Sequence, residues 1–164
     1  MRKRELLADA VNDIEKSSSK AKSESNLYKV VVERLAKLPH FHWTGIYLLK
    51  GDVLELEHFI GRPTEHVRIP VGKGICGSAV AKKGNVIVED VSKESNYLAC
   101  SIQTRSEIVV LIKDGKRIIG ELDIDSDEPS AFDKDDELAL ENVSGTIVRR
   151  LREMRHASQH RRKD

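Results

Sequence analysis

The stretch from Ser106 to Asp125 leaves this chain the fewest options for folding. SEIVVLIK at 106–113 and KRIIGELDID at 116–125 are apolar runs rich in β-branched residues, and Asp114-Gly115 lies between them. That dipeptide between two such runs is the signature of a tight two-residue turn, so an antiparallel hairpin is expected. Glu121, Asp123 and Asp125 alternate along its second strand and must project from one face, with Leu122 and Ile124 on the other. Such acids either meet water or line a pocket. In a pocket their mutual repulsion raises at least one pKa and keeps a proton available near neutrality.

The remaining chain supplies partners for the hairpin. Residues 4–16 carry Leu7, Val11 and Ile14 at helical spacing. The serine-rich SSSKAKSES at 17–25 reads as a linker. Leu27, Val31, Leu35 and Leu38 then form a second stripe, with Ser23 or Ser25 to cap it and Pro39 to stop it. HWTGIYLL and VLELEHFI flank the turn Lys50-Gly51-Asp52 as another hairpin, and HVRIPV is a further strand. A short helix is expected at 76–83, ended by Gly84, and a strand at 85–91. Asp133 caps a long helix whose stripe is Leu140, Val143, Ile147, Leu151 and Met154, with acids in its first turn and arginines in its last. Helices, a meander of strands, then a helix predict an α+β fold, an antiparallel sheet with helices packed on one face.

A chain of 164 residues fits one domain, 1–164, with the helix at 4–16 and the basic tail 157–164 peripheral. A net charge of +1 gives no global case for nucleic acid or membrane as a partner. The basic N-terminus has no signal-length apolar run behind it, and no stretch approaches a membrane span. A cytoplasmic protein is the expectation. There, two cysteines point to catalysis, metal binding or inert packing before a structural disulfide.

Those cysteines are Cys76, after the glycine-rich turn GKGICG, and Cys100, in the polar segment before the central hairpin. Both fit small gaps in a core. Cys76 also falls at an expected helix N-terminus, where the dipole favours thiolate, and Cys100 has Arg105 nearby. His40, His42, His58 and His66 are available as zinc ligands, without a CxxC or HxxxH spacing. Gly72-Lys73-Gly74-Ile75-Cys76-Gly77 fits GxGxxG, but hairpins follow where a dinucleotide fold needs βαβ units. As a turn feeding a helix, it leaves backbone N–H groups for an anion.

The runs WTGIYLL, VRIPVGKGICGSAV, YLACSIQTRSEIVV and IIGELDIDSDEPSAF, in order over residues 25–150, resemble the GAF-domain enzymes that reduce free methionine-(R)-sulfoxide, in their two-cysteine variety. The resemblance implies a GAF fold, an antiparallel sheet of about six strands flanked by helices. It implies Cys100 as the attacking thiol and Cys76 as its disulfide partner. Glu107, Asp123 and Asp125 match the acids that hold the sulfoxide and amino group, and Trp43 and Tyr47 match the wall around the methyl-sulfur end. It implies no metal or organic cofactor, and thioredoxin or a small thiol as reductant. Many relatives carry a third cysteine where His66 stands, and an aspartate where Ser101 stands. The terminal helices leave a homodimer open.

Two rivals remain: a GAF module that binds a small molecule without chemistry, and a thiol redox switch. One point of register is also open. A strict two-residue turn at Asp114-Gly115 puts Glu107 and Asp123 on opposite faces of the hairpin. Either a bulge or a wider loop intervenes, or Glu107 stands outside the site.

Overall fold

Two helices lead the chain in the computed structural model, which describes residues 2–98 and 102–163. Helix α1 spans Lys3–Ser18 and α2 spans Glu24–Leu35, where the Ser23 hydroxyl caps the start by accepting from the Asn26 N–H at 3.1 Å. Strands β1 (Trp43–Lys50), β2 (Val53–Ile60) and β3 (Arg68–Pro70) follow, then helix α3 (Gly74–Lys82) and the short strand β4 (Val86–Val88). The central hairpin is β5 (Ser106–Asp114) and β6 (Arg117–Ser126), and α4 (Lys134–Arg161) closes the chain. The strands form one antiparallel sheet in the order β3-β2-β1-β6-β5-β4. This is the expected α+β arrangement.

The two faces of the sheet have different roles. Ile46, Ile108, Val110, Ile112, Leu122 and Ile124 point to one side and meet the apolar stripes of α1, α2 and α4. Helix α1, read from the sequence as peripheral, buries Leu7 and Ile14 there. The opposite side carries Tyr47, Leu54, Val109 and Leu111, covered by Ile75, Ala79 and Val80 of α3. Because β3 and β4 are the two edges of the sheet, α3 must cross the whole face to join them. The same topology rules out the dinucleotide reading of GKGICG, since no parallel strand pair flanks that helix.

Two boundaries differ from expectation. Helix α3 begins at Gly74 rather than 76, so Cys76 lies inside its first turn. It ends with Lys83, not Gly84, in the left-handed region at φ 58. The hairpin loop is Gly115-Lys116, because Asp114 pairs with Arg117. A bulge then follows: Lys113 opposes Ile118, but Ile112 opposes Gly120, leaving Ile119 unpaired. That extra residue shifts the parity of β6, so Glu107 lies opposite Asp125 on the same face. Of the two alternatives open in the sequence, the bulge is the one realised.

The helical side is held by one buried carboxylate. Asp136 is fully buried and receives Lys3 Nζ at 2.5 Å, His40 Nε2 at 2.6 Å and the Asp133 N–H at 2.8 Å. Asp133 in turn accepts from the N–H groups of Asp135 and Asp136, completing a capping box. Among the described residues, no helix is long and apolar enough to cross a membrane. Removing the Asp136 carboxylate takes the acceptor from His40 and the Asp133 N–H and leaves Lys3 only Asp133 and the Ala131 carbonyl, so Asp136→Ala is expected to cost about 3 kcal/mol in urea denaturation. A loss below about 1 kcal/mol would show that the ion pair is dispensable.

Candidate active site

The face crossed by α3 holds the acids. Glu121, Asp123 and Asp125 of β6 and Glu107 of β5 are at most 4% exposed. A solvated sheet face is thereby excluded. Across β1, Trp43 opposes Asp125, Gly45 opposes Asp123 and Tyr47 opposes Glu121. Gly45 leaves the space above it to the Trp43 ring, since a Cβ there would lie 2.4 Å from that ring. Trp43 stacks on Phe59 and donates its indole N–H to the Arg62 carbonyl at 3.0 Å. Tyr47 is wholly buried and donates its hydroxyl to the His66 carbonyl at 2.7 Å.

Cys76 reaches this face from above. Its Sγ lies 3.8 Å from Glu107 Oε1, the contact of a weak S–H donor. One donor atom from each of Cys76, Glu107 and Asp123 falls within 4.8 Å of the other two. Close approach of α3 depends on Gly77, where a Cβ would meet the Pro70 carbonyl at 2.5 Å. A cavity of about 10 Å³ lies here, room for one water, lined by His66, Cys76, Leu98, Glu107 and Asp123 among others. Trp43, Tyr47 and Asp125 flank the cluster without lining that cavity. Cys100 lies outside the described residues.

The sequence reading passed over Leu98, which lines the cavity, and Asn96, which braces the segment leading to it. Asn96 accepts from the Gly74 N–H at 3.2 Å and donates to the Gly74 carbonyl at 3.1 Å and Ser78 Oγ at 2.6 Å. This ties the segment before Leu98 to the start of α3. Leu98 rests on Gly74, where φ is +63 and a Cβ would come within 2.9 Å of the leucine. The nearby turn is less open to an anion than expected, because the Gly72, Lys73 and Gly74 N–H groups donate to Gly77, Pro70 and Asn96. Two of the histidines weighed as zinc ligands are also engaged elsewhere, His40 by Asp136 and His42 by the Asp127 N–H.

Burial sets the protonation of the cluster. It pushes the Cys76 thiol well above its usual range, and the charges of Asp123, Glu121 and Glu107 push it further. The helix-terminus expectation of a Cys76 thiolate is therefore overturned: one turn of helix dipole is outweighed by desolvation and three carboxyls. Burial likewise raises Glu121 well above the carboxylate range, and it raises Asp123. No hydrogen bond of good geometry reaches either carboxyl, and the nearness of Cys76 to Glu121, and of Glu107 and then Cys76 to Asp123, only partly offsets the effect. The result is a buried pocket in which Glu121, Asp123 and the Cys76 thiol all hold their protons more tightly than they would in water. A larger hollow of about 350 Å³ between α2 and α4 is lined by Glu24, Lys50, Arg117 and Arg155 among others, with no thiol among its described residues.

The GAF domain profile matches residues 24–151. The chain belongs to the GAF-domain family. It is 38% identical over 127 residues to the free methionine-R-sulfoxide reductase of Escherichia coli, covering 77% of this chain and 74% of that protein. The structure is similar to that of free methionine-R-sulfoxide reductase from Neisseria meningitidis in complex with its substrate, with a TM-score of 0.90 and 33% identity over 96% of this chain and 95% of that one. It is also similar to a type II free methionine-R-sulfoxide reductase from Thermoplasma acidophilum, with a TM-score of 0.74 and 36% identity over 87% and 97% of the two chains.

Within this GAF domain, Glu121 is the buried acid that the resemblance did not assign. Its alternation with Asp123 and Asp125 was the available signal, and its burial under α3 was not readable from spacing. Because their pKa values are raised on folding, Glu121 and Asp123 hold protons in the folded chain that they lose in the unfolded one. Their contribution to stability is therefore most favourable below the unfolded-state carboxyl pKa and is lost as pH rises towards the folded-state value. Glu121→Gln keeps the shape and removes this term. Its stability in urea, relative to the parent chain, is expected to grow as pH rises above the unfolded-state glutamate pKa of about 4.3. A difference independent of pH would show Glu121 to be ionised in the folded protein.

Proposed function

We propose that this protein reduces free methionine-(R)-sulfoxide to methionine, with Cys100 as the attacking thiol and Cys76 as its disulfide partner. The observation that carries the reading is the convergence of Glu107, Asp123 and Cys76 on one small buried cavity, in a chain so similar to named reductases of that substrate. A module that only held a ligand would gain nothing from protonated acids beside a thiol. A sulfoxide oxygen needs protons to leave as water.

In this cycle the Cys100 sulfur attacks the substrate sulfur while one of the carboxyls, Asp123, Glu107 or Asp125, donates a proton to the oxygen. Oxygen passes to Cys100 as a sulfenic acid, methionine leaves, and the substrate sulfur has been reduced by two electrons. Cys76 then attacks the sulfenic sulfur; its proton departs with the hydroxyl as water, and a disulfide remains. A dithiol such as thioredoxin, or a small thiol, returns both cysteines to the reduced state. Substrate carboxyl-side contacts aside, its ammonium suits the acids, and Trp43 and Tyr47 supply apolar surface beside them. Room for one amino acid exceeds about 10 Å³, so binding requires the wall at Leu98 to move off Gly74.

Single-turnover assays with free methionine-(R)-sulfoxide test the scheme. The reduced chain is expected to release one methionine per two thiols lost. Cys100→Ser should release none. Cys76→Ser should complete one turnover and leave a sulfenic acid that dimedone traps. Asp123→Asn and Glu107→Gln should each slow release about 10²–10⁴-fold. Methionine release by Cys100→Ser at the parent rate would sink the proposal, as would thiol loss without methionine, the mark of a redox switch.

A further inference from the structure

The cluster beneath α3 has the donors and the spacing of a metal site. Cys76, Glu107 and Asp123 are all buried, and one donor atom of each lies within 4.8 Å of the others. A zinc ion bound at about 2.3 Å to sulfur and about 2.1 Å to oxygen holds tetrahedral S and O ligands roughly 3.6 Å apart. Cys76 Sγ and Glu107 Oε1 are 3.8 Å apart. A second observation points the same way. Both oxygens of Asp123 lack a donor in bonding geometry, the residue is 1% exposed, and it lines the small cavity. Buried acceptors without donors gain from a cation more than from any neutral group. The cavity beside these three side chains, about one water in size, is the space that the water completing the ion's shell would fill.

We propose that the reduced protein binds one divalent cation of the zinc class at Cys76, Glu107 and Asp123, with water as fourth ligand, and that this cation and the substrate exclude each other. A sulfur donor in a closed pocket selects zinc over magnesium or calcium, which take oxygen ligands in larger shells. Binding displaces the protons these groups hold and changes no oxidation state. The exclusion clause rests on the reductase reading, because it assigns the same three side chains to substrate and to disulfide formation. The metal site itself does not.

The exposed pair His156 and His160, with ring centroids 4.4 Å apart on α4, offers a competing surface chelate. Zinc is therefore titrated into reduced, chelator-stripped His156→Ala/His160→Ala protein against a chromogenic chelator. One equivalent is expected to bind. Cys76→Ser should weaken it at least 100-fold and Asp123→Asn at least tenfold, while Cys100→Ser leaves it within threefold. Cobalt(II) in place of zinc should show a thiolate charge-transfer band that Cys76→Ser removes, and metal-free thermal melts report whether each variant is folded. No stoichiometric binding overturns the site, as does binding indifferent to Cys76→Ser or dependent on Cys100. Methionine release is then measured with and without zinc. A bound equivalent that leaves release unchanged overturns the exclusion. Zinc-free protein that releases no methionine overturns the reductase reading and leaves the metal site standing.

Discussion

A single unpaired residue in β6 determines which groups can meet in this protein. Side chains along a strand alternate strictly, so the parity of a hairpin pairing decides on which face every residue lies. With a regular ladder from the Asp114–Arg117 pair, Glu107 would face the helical core among α1, α2 and α4. Ile119 breaks the count, and Glu107 comes to oppose Asp125. The bulge lies on the loop side of the acids, two residues before Glu121 and six before Asp125. That placement keeps the hydrogen-bonded ladder intact from Ile112–Gly120 to Ser106–Ser126, where the site is built.

Burying Glu107, Glu121, Asp123 and Asp125 on one sheet face is costly when they are charged and much less so when they are neutral. The topology imposes the burial. Helix α3 must span from the β3 edge to the β4 edge, and Gly77 lets it lie close against the Pro70 carbonyl. Bulk water is kept from this face as a result, and the desolvation raises the pKa of Glu121 and Asp123. The stability lost at this face is supplied on the other side of the sheet, where three helices bury a continuous aliphatic layer and Asp136 ties α1 to α4. One face is packed almost wholly with aliphatic side chains, and the other mixes a smaller apolar cluster with the four buried acids.

Much of the fold was legible because its signals are local. The stripes of α2 and α4, the caps Ser23 and Asp133, and the two hairpins all follow from residues within a few positions of each other. The alternation of Glu121, Asp123 and Asp125 was equally plain. Whether they met water was not, since that depends on α3 crossing above them. The Ile119 bulge has no marker of its own: Ile-Ile-Gly reads as ordinary strand. The Cys76 thiolate expectation failed for a related reason. A helix start is visible in sequence, but three carboxyls gathered from β5 and β6 around the thiol are not. Asn96 was missed because its partners, Gly74 and Ser78, lie some twenty residues away.

The raised pKa of Cys76 bears on the order of events in the proposed cycle. A thiol that stays protonated is a slow attacker of a sulfoxide and of stray oxidants alike. Opposite a sulfenic acid its handicap shrinks, because the departing hydroxyl takes up the thiol proton in the same step. Thiolate is then needed only as the S–S bond forms. The acids that hold Cys76 in reserve are also those assigned to protonating the substrate oxygen. One desolvated cluster would thus set both the quiescence of the second cysteine and the acidity the first step requires. Any change that lets water reach Asp123 would weaken the two together, so they cannot be tuned independently.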